Sequence, residues 1–144
     1  MHMEELANHI LAFTNESKQG VSNMKLQKVL YLTLVNAHQQ KIVSDQWLAE
    51  HYDQPFYVWQ FGPIEPTLYD KFSVYGASRI FAPQNKNPKY EKLNPVIEQL
   101  LTFSIFDLIP ICHSHAQWKN NRHLIKDGKS KVEYSLNHIQ NPYA

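Results

Sequence analysis

A chain of 144 residues with one cysteine, 14 Lys and Arg against 13 Asp and Glu, and no apolar run near the ~20 residues of a membrane span excludes several classes. It has no overall electrostatic pull towards nucleic acid or anionic lipid, though a local patch is left open, and it has no internal disulfide. Its length suits one domain that buries roughly two-thirds of the unfolded surface without a covalent staple.

Four glycines against 12% aromatic residues favour helices packed on bulky side chains over a turn-rich β protein. The opening Met1-His2-Met3-Glu4-Glu5 lacks the basic and apolar regions of a secretion signal, so a cytoplasmic location is expected.

From Met3 to Asn15, the residues Leu6, Ala7, Ile10, Leu11 and Thr14 fall on one stripe, the pattern of an amphipathic helix. Lys18-Gln19-Gly20 breaks it, and Ser22 or Asn23 caps a second helix predicted over Asn23–Gln39. Leu26, Val29, Leu30, Thr33 and Ala37 form its stripe. Tyr31, Leu32, Leu34 and Val35 widen it almost all round, which marks a central, buried helix. Ser44 reads as the N-cap of a short helix through Trp47, Leu48 and His51. Pro55 to Gln60 reads as extended, with Phe56 and Val58 facing one way and Tyr57, Trp59 and Phe61 the other. A small two-stranded ribbon is expected between Ile42-Val43 and Tyr57–Trp59.

The stretch Val58 to Tyr69 is the corner of the chain. Gly62 can take positive φ without steric cost, and Pro63 fixes the next φ. Pro66 suits the first turn of a helix that runs through Leu68, Tyr69, Phe72 and Tyr75 and closes at Gly76. Trp59 is expected in the core. Pro83 to Lys92 reads as a mobile loop. Asn94-Pro95 opens a helix through Leu101, with a break around Asp107 and a restart over Leu108, Ile111 and Cys112. Trp118 to Ile125 is helical up to Asp127-Gly128, and one more turn follows Ser135. The expected fold class is mainly α: a single compact multi-helix domain over residues 1–144, with room for that one β ribbon.

Candidate chemistry is sparse. Cys112, His113, His115 and His123 have metal-ligand side chains, but adjacent helical positions diverge by about 100°, which suits tetrahedral zinc poorly. Cys112, after Ile109-Pro110-Ile111, reads as buried and inert, and Asp107 and His113, six apart, do not share a helical face, so no nucleophile is signalled. No Gly-rich phosphate loop appears. Neither enzymatic activity nor a cofactor or metal is expected. The Gly20-Val21-Ser22 junction resembles a helix-turn-helix, with Lys25 and Lys28 as its charges, but the second helix is too apolar for a recognition helix. Nucleic-acid binding, as a regulator with a helix-turn-helix-like N-terminal half, is therefore the second expectation.

Ser22 to Tyr31, with Lys25, Leu26, Gln27, Lys28 and Tyr31 at its centre, resembles the Lys-Leu-Gln-Lys-Leu-Leu-Tyr run of the Panacea antitoxin-domain family, whose members are often labelled phage-associated GepA-like or SocA-like proteins. That family's Ala-Trp-x-x-Gly-Pro-Val-x-Pro-x-x-Tyr block is matched by Val58-Trp59 through Gly62, Pro63, Pro66 and Tyr69, followed by Phe72 and Tyr75-Gly76. A third block is matched by Leu108 to His113, Trp118 and Arg122, with Cys112 in place of a threonine and Gln117 in place of a proline. The resemblance implies a helical antitoxin that neutralises the protein toxin of a neighbouring gene by direct binding, with no catalytic residue and no cofactor. Trp118, Arg122 and His113 are the candidates for contact with the toxin, since Trp and Arg dominate binding hot spots. The toxin's identity and the oligomeric state are left open.

Overall fold

The computed structural model describes residues 1–17, 19–81 and 84–144, and only the backbone of Ser17. Lys18, in the expected first break, and Pro83, at the start of the expected loop, lie outside the described residues.

Helix α1 (His2–Ser17) packs on α2 (Asn23–Gln39), the axis of the molecule. Ser22 caps α2 by accepting the Lys25 N–H at 3.2 Å. Around it Leu26, Val29, Leu30, Tyr31, Leu32, Leu34 and Val35 are all buried, and α1, α5, α6, α8 and the β ribbon pack against it. A side chain such as leucine gains about 1.5–3 kcal/mol on full burial, so this helix, buried over most of its surface, is a large contributor to the folding energy. Helix α3 (Asp45–His51) begins at Ser44, whose hydroxyl accepts the Trp47 N–H.

The ribbon is β1 (Tyr57–Trp59) paired antiparallel with β2 (Gly62–Ile64), Trp59 opposite Gly62. Its partner is therefore not Ile42-Val43, which follows α2 in a turn. The expected helix over the corner is also shorter: Pro63 lies in β2, α4 spans Pro66–Lys71, and a 3₁₀ turn over Ser73–Tyr75 carries the chain to Gly76 at φ +57°. Neither Gln60 nor Phe61 takes positive φ, whereas Gly62 sits at +109°. With Trp59 opposite Gly62, Gln60 and Phe61 form the turn, and the positive φ falls on the first residue of β2, where glycine takes it without steric cost.

The segment expected to be a mobile loop holds a 3₁₀ helix over Pro88–Leu93, fixed by fully buried Tyr90 and Leu93. Helix α5 (Asn94–Leu101) and helix α6 (Ile105–His113) are separated at Thr102–Ser104 rather than at Asp107. Asp107 instead completes a capping box with Ser104 at the start of α6. Helix α7 (Ala116–Asn121) and a 3₁₀ turn over Arg122–Leu124 follow, and α8 (Leu136–Gln140) starts at Ser135. Between them the chain returns along β1: Val58 N–H donates to Val132 O, Gln60 N–H to Gly128 O, and Tyr134 N–H to Phe56 O. The fold is mainly α with one short antiparallel ribbon.

Candidate functional site

The first two sequence blocks meet in a buried clamp. On α2, Asn23 Nδ2 donates to Tyr69 O at 2.8 Å, and Gln27 Oε1 accepts the Glu65 N–H at 2.7 Å. The next residue, Lys28, donates from Nζ to Pro63 O at 2.9 Å. The Glu65 carboxylate caps α4 by accepting the Leu68 N–H at 2.6 Å, while burial pushes its pKa up. Leu26 is core, and Lys25 reaches across to Leu101 O at 3.1 Å.

Lys28 is fully buried, and burial lowers its amine to about 8, opposed in part by Cys112. Cys112 is fully buried too, and burial pushes its thiol up to about 12, so it remains a thiol near neutral pH. Gly62 lies between them: a Cβ there would stand 3.2 Å from both Cys112 Cβ and Lys28 Cε. The glycine thus serves the turn and this close approach together. Deeper in, Tyr31 and His115 form a buried pair at 2.6 Å, and burial lowers His115 to about 4. The neutral Nδ1 is then the acceptor and the Tyr31 hydroxyl the donor.

The third block meets the hairpin at the surface. His113 Nε2–H donates to Gln60 O at 3.0 Å, and Trp118 Nε1–H donates to Trp59 O at 2.9 Å. The imidazole and indole stack at 3.6 Å between centroids, and burial lowers the His113 pKa. These bonds hold the hairpin turn against α6 and α7. They open a shallow groove of about 690 Å³ lined by Phe61, His113, Trp118, Arg122 and Ile125, within the size range of ordinary ligand sites. Phe61 is 47% exposed on its wall. All three candidate contact residues, Trp118, Arg122 and His113, therefore line one groove.

One expectation changes. Trp59 is half-buried and outside the core, which takes Phe56 and Val58 from the opposite face of β1; its ring meets Tyr69 edge-on and carries Lys129 Nζ at 4.8 Å. Trp118 is half-buried, with its indole N–H already bonded, so it is a wall of the groove more than a free anchor. Tyr69 and Tyr75 are half-buried and Gly76 is exposed, so the end of the second block is a surface turn; Pro66 opens α4 as expected.

The metal-ligand residues diverge. Cys112 faces Lys28, His113 the hairpin, His115 Tyr31, and His123 the groove rim. Among the described residues no group of three or more His, Cys, Asp or Glu is placed to hold a metal ion. Among them, too, no single helix is long and apolar enough to cross a membrane.

Sequence patterning alone did not single out the lysines beside the groove. Residues 119–131 hold five of the chain's 14 Lys and Arg and one of its 13 Asp and Glu. Near-neutral net charge hid that strip.

The fold and site define a mainly α protein whose buried helix clamps a hairpin, and whose hairpin completes an aromatic, cation-edged surface groove. No protein-family model, no curated protein and no solved structure matches the chain.

Proposed function

We propose that this protein is a cytoplasmic antitoxin. It neutralises a toxic protein encoded by a neighbouring gene by binding it directly, and it uses neither catalysis nor a cofactor. The reading rests on the three-block resemblance. One observation carries it further: the blocks, spread from Lys25 to Arg122, share two connected assemblies. The first and second form the clamp through Gln27–Glu65 and Lys28–Pro63. The second and third form the groove through His113–Gln60 and Trp118–Trp59. A motif set needed only for packing has no reason to end in an open groove walled by Trp, Phe and Arg, the composition of binding hot spots.

A regulator acting through α2 would need Lys25 and Lys28 on a free helix face. Lys28 is fully buried on Pro63 O, and Lys25 bonds Leu101 O. The deciding experiment expresses the neighbouring gene alone and together with this protein. Growth arrest relieved by the wild-type chain, with a complex recovered by co-purification, is the expected result. A harmless neighbour, or arrest that persists with this protein present, overturns the assignment for that pair.

A further inference from the structure

The groove continues onto an unpartnered helix face. On α6, Phe106, Ile109, Pro110 and His113 follow one another at the spacing of a single helical stripe. Phe106 is 82% exposed, and His113 at the other end is a wall of the groove. A phenyl ring so exposed, in line with an aromatic groove, makes a continuous apolar track rather than an isolated surface residue.

The edge of this track is cationic. Residues 119–131 carry five cations and one anion, so that strip is +4 while the rest of the chain is −3. Arg122 lines the groove, Lys119, Lys126 and Lys129 are exposed, and Lys129 lies over Trp59. The ion pairs among the described residues use Lys71, Lys86, Lys89 and His38 instead, so none of these cations is neutralised by a carboxylate there.

We infer that the groove and the outer stripe of α6 form one docking surface for an acidic, amphipathic segment of the partner protein, a conclusion that rests on the antitoxin reading above. Its apolar side chains lie along Phe106, Ile109 and Phe61, and its carboxylates face Arg122, Lys126 and Lys129. Charge complementarity of this kind steers encounter and sets register. The segment docks by side chains, as a helix in a groove does, because β1 is covered by residues 128–134 and the Pro63 carbonyl of β2 is held by Lys28. Single-stranded nucleic acid suits the surface less well. His113 covers one face of Trp118 and Lys129 sits over Trp59, so only the smaller rings of Phe61 and Phe106 are open for base stacking.

The test pans a phage-displayed library of random peptides, long enough for about four helical turns, against the immobilised full-length chain. A single-stranded oligonucleotide serves as competitor. Enriched peptides should be rich in Asp and Glu, with apolar residues at helical spacing, and should bind more weakly as salt rises. Binding should fall at least about tenfold with Arg122→Glu/Lys126→Glu and separately with Phe106→Ser, while both variants melt like wild type. Neutral or basic peptides, no enrichment, binding untouched by the variants, or displacement by the oligonucleotide overturns the proposal. The same variants are then co-expressed with the neighbouring gene. If wild type and variants all rescue growth, the docking surface fails and the antitoxin reading stands. If acidic peptides bind as expected but the neighbour is harmless, the surface stands and that reading fails.

Discussion

Gln27 and Glu65, 38 residues apart, are joined through both ends of one side-chain amide: Gln27 Oε1 accepts the Glu65 N–H at 2.7 Å, and Gln27 Nε2 donates to Glu65 O at 3.4 Å. Both residues are buried, so neither main-chain group has water as a substitute partner. Replacing Gln27 with Met keeps the volume and leaves the Glu65 N–H unpaired. An orphaned buried donor costs about 1–3 kcal/mol. The expected result is a lower unfolding midpoint in denaturant with an unchanged slope. An unchanged midpoint would mean that the clamp does not seat the corner.

Gly62→Val meets two obstacles, φ of +109° and contacts of 3.2 Å with Cys112 Cβ and Lys28 Cε. Backbone strain alone costs of order 1–3 kcal/mol, and overpacking adds to it. Gly62→Ala carries the same strain with less bulk and should fall between wild type and valine. Thermal melts that order the three chains otherwise would contradict this account of the hairpin.

The caps and the central helix were legible because their causes are local. Ser22, Ser44 and Ser135 each precede a helix as N-caps, and the all-round apolar pattern of Leu26 to Val35 marked α2 as buried. The alternation of Phe56, Tyr57, Val58 and Trp59 was legible too, and it already placed Trp59 opposite the core side chains. Trp59 was nevertheless expected inside because aromatic residues usually are; the side of the strand outweighs the residue type. The ribbon's true partner was hidden because Gly62-Pro63 reads equally as a lead-in to a helix. The groove joins Gln60 to His113 and Trp59 to Trp118, contacts that no local rule encodes.

Lys28 gives stability a distinctive pH dependence. Its amine titrates at about 8 in the folded chain against an ordinary 10.5. Between those values the unfolded chain holds the extra proton, so stability rises with pH, by at most about 1.4 kcal/mol per unit. Cys112 acts in the opposite sense from pH 9 towards 12, where the unfolded thiol ionises and the folded one does not. The rise should therefore be visible from pH 8 to 9 and continue in Cys112→Ala towards pH 10, where Tyr31, Tyr52, Tyr90 and Tyr134, raised by burial, begin to oppose it. Lys28→Met should flatten the rise, leaving the same-direction contribution of Lys25, whose amine burial also lowers. A wild-type profile that is flat or falling from pH 8 to 9 would contradict the buried amine.

His115 supplies the acid side. Its folded pKa is lowered from 6.5 to about 4, so between these values only the unfolded chain takes up the proton. The contribution of His115 is fully present above pH 6.5 and is lost as the pH drops towards 4. His9, His51, His113 and His138 are shifted in the same direction by burial and add to the loss. His115→Gln should therefore flatten the acid limb without removing it. Tyr31→Phe leaves the Nδ1 of His115 without its donor and should lower stability at neutral pH by about 1 kcal/mol. An unaltered acid limb in His115→Gln would show that the pKa of this histidine is not lowered in the folded chain.

The two tryptophans and Arg122 should separate folding from binding. Trp59→Ala removes a half-buried ring, not a core one, so its cost should lie below the 3–5 kcal/mol typical of a buried aromatic, at about 1–2 kcal/mol. Trp118→Ala loses a hydrogen bond to the hairpin and the stack on His113, so it should lower both the melting midpoint and binding. Arg122 is exposed on the groove lining, and surface truncations usually stay within about 0.5 kcal/mol of wild-type stability. If it is a binding anchor, Arg122→Ala should nevertheless weaken partner binding by about 2 kcal/mol or more. Calorimetric titration of the co-purified partner, run beside thermal melts, reads both quantities. Arg122→Ala that melts like wild type and binds weakly places the interface at this groove. Arg122→Ala and Trp118→Ala that both bind normally move the interface elsewhere, whatever becomes of their melting points.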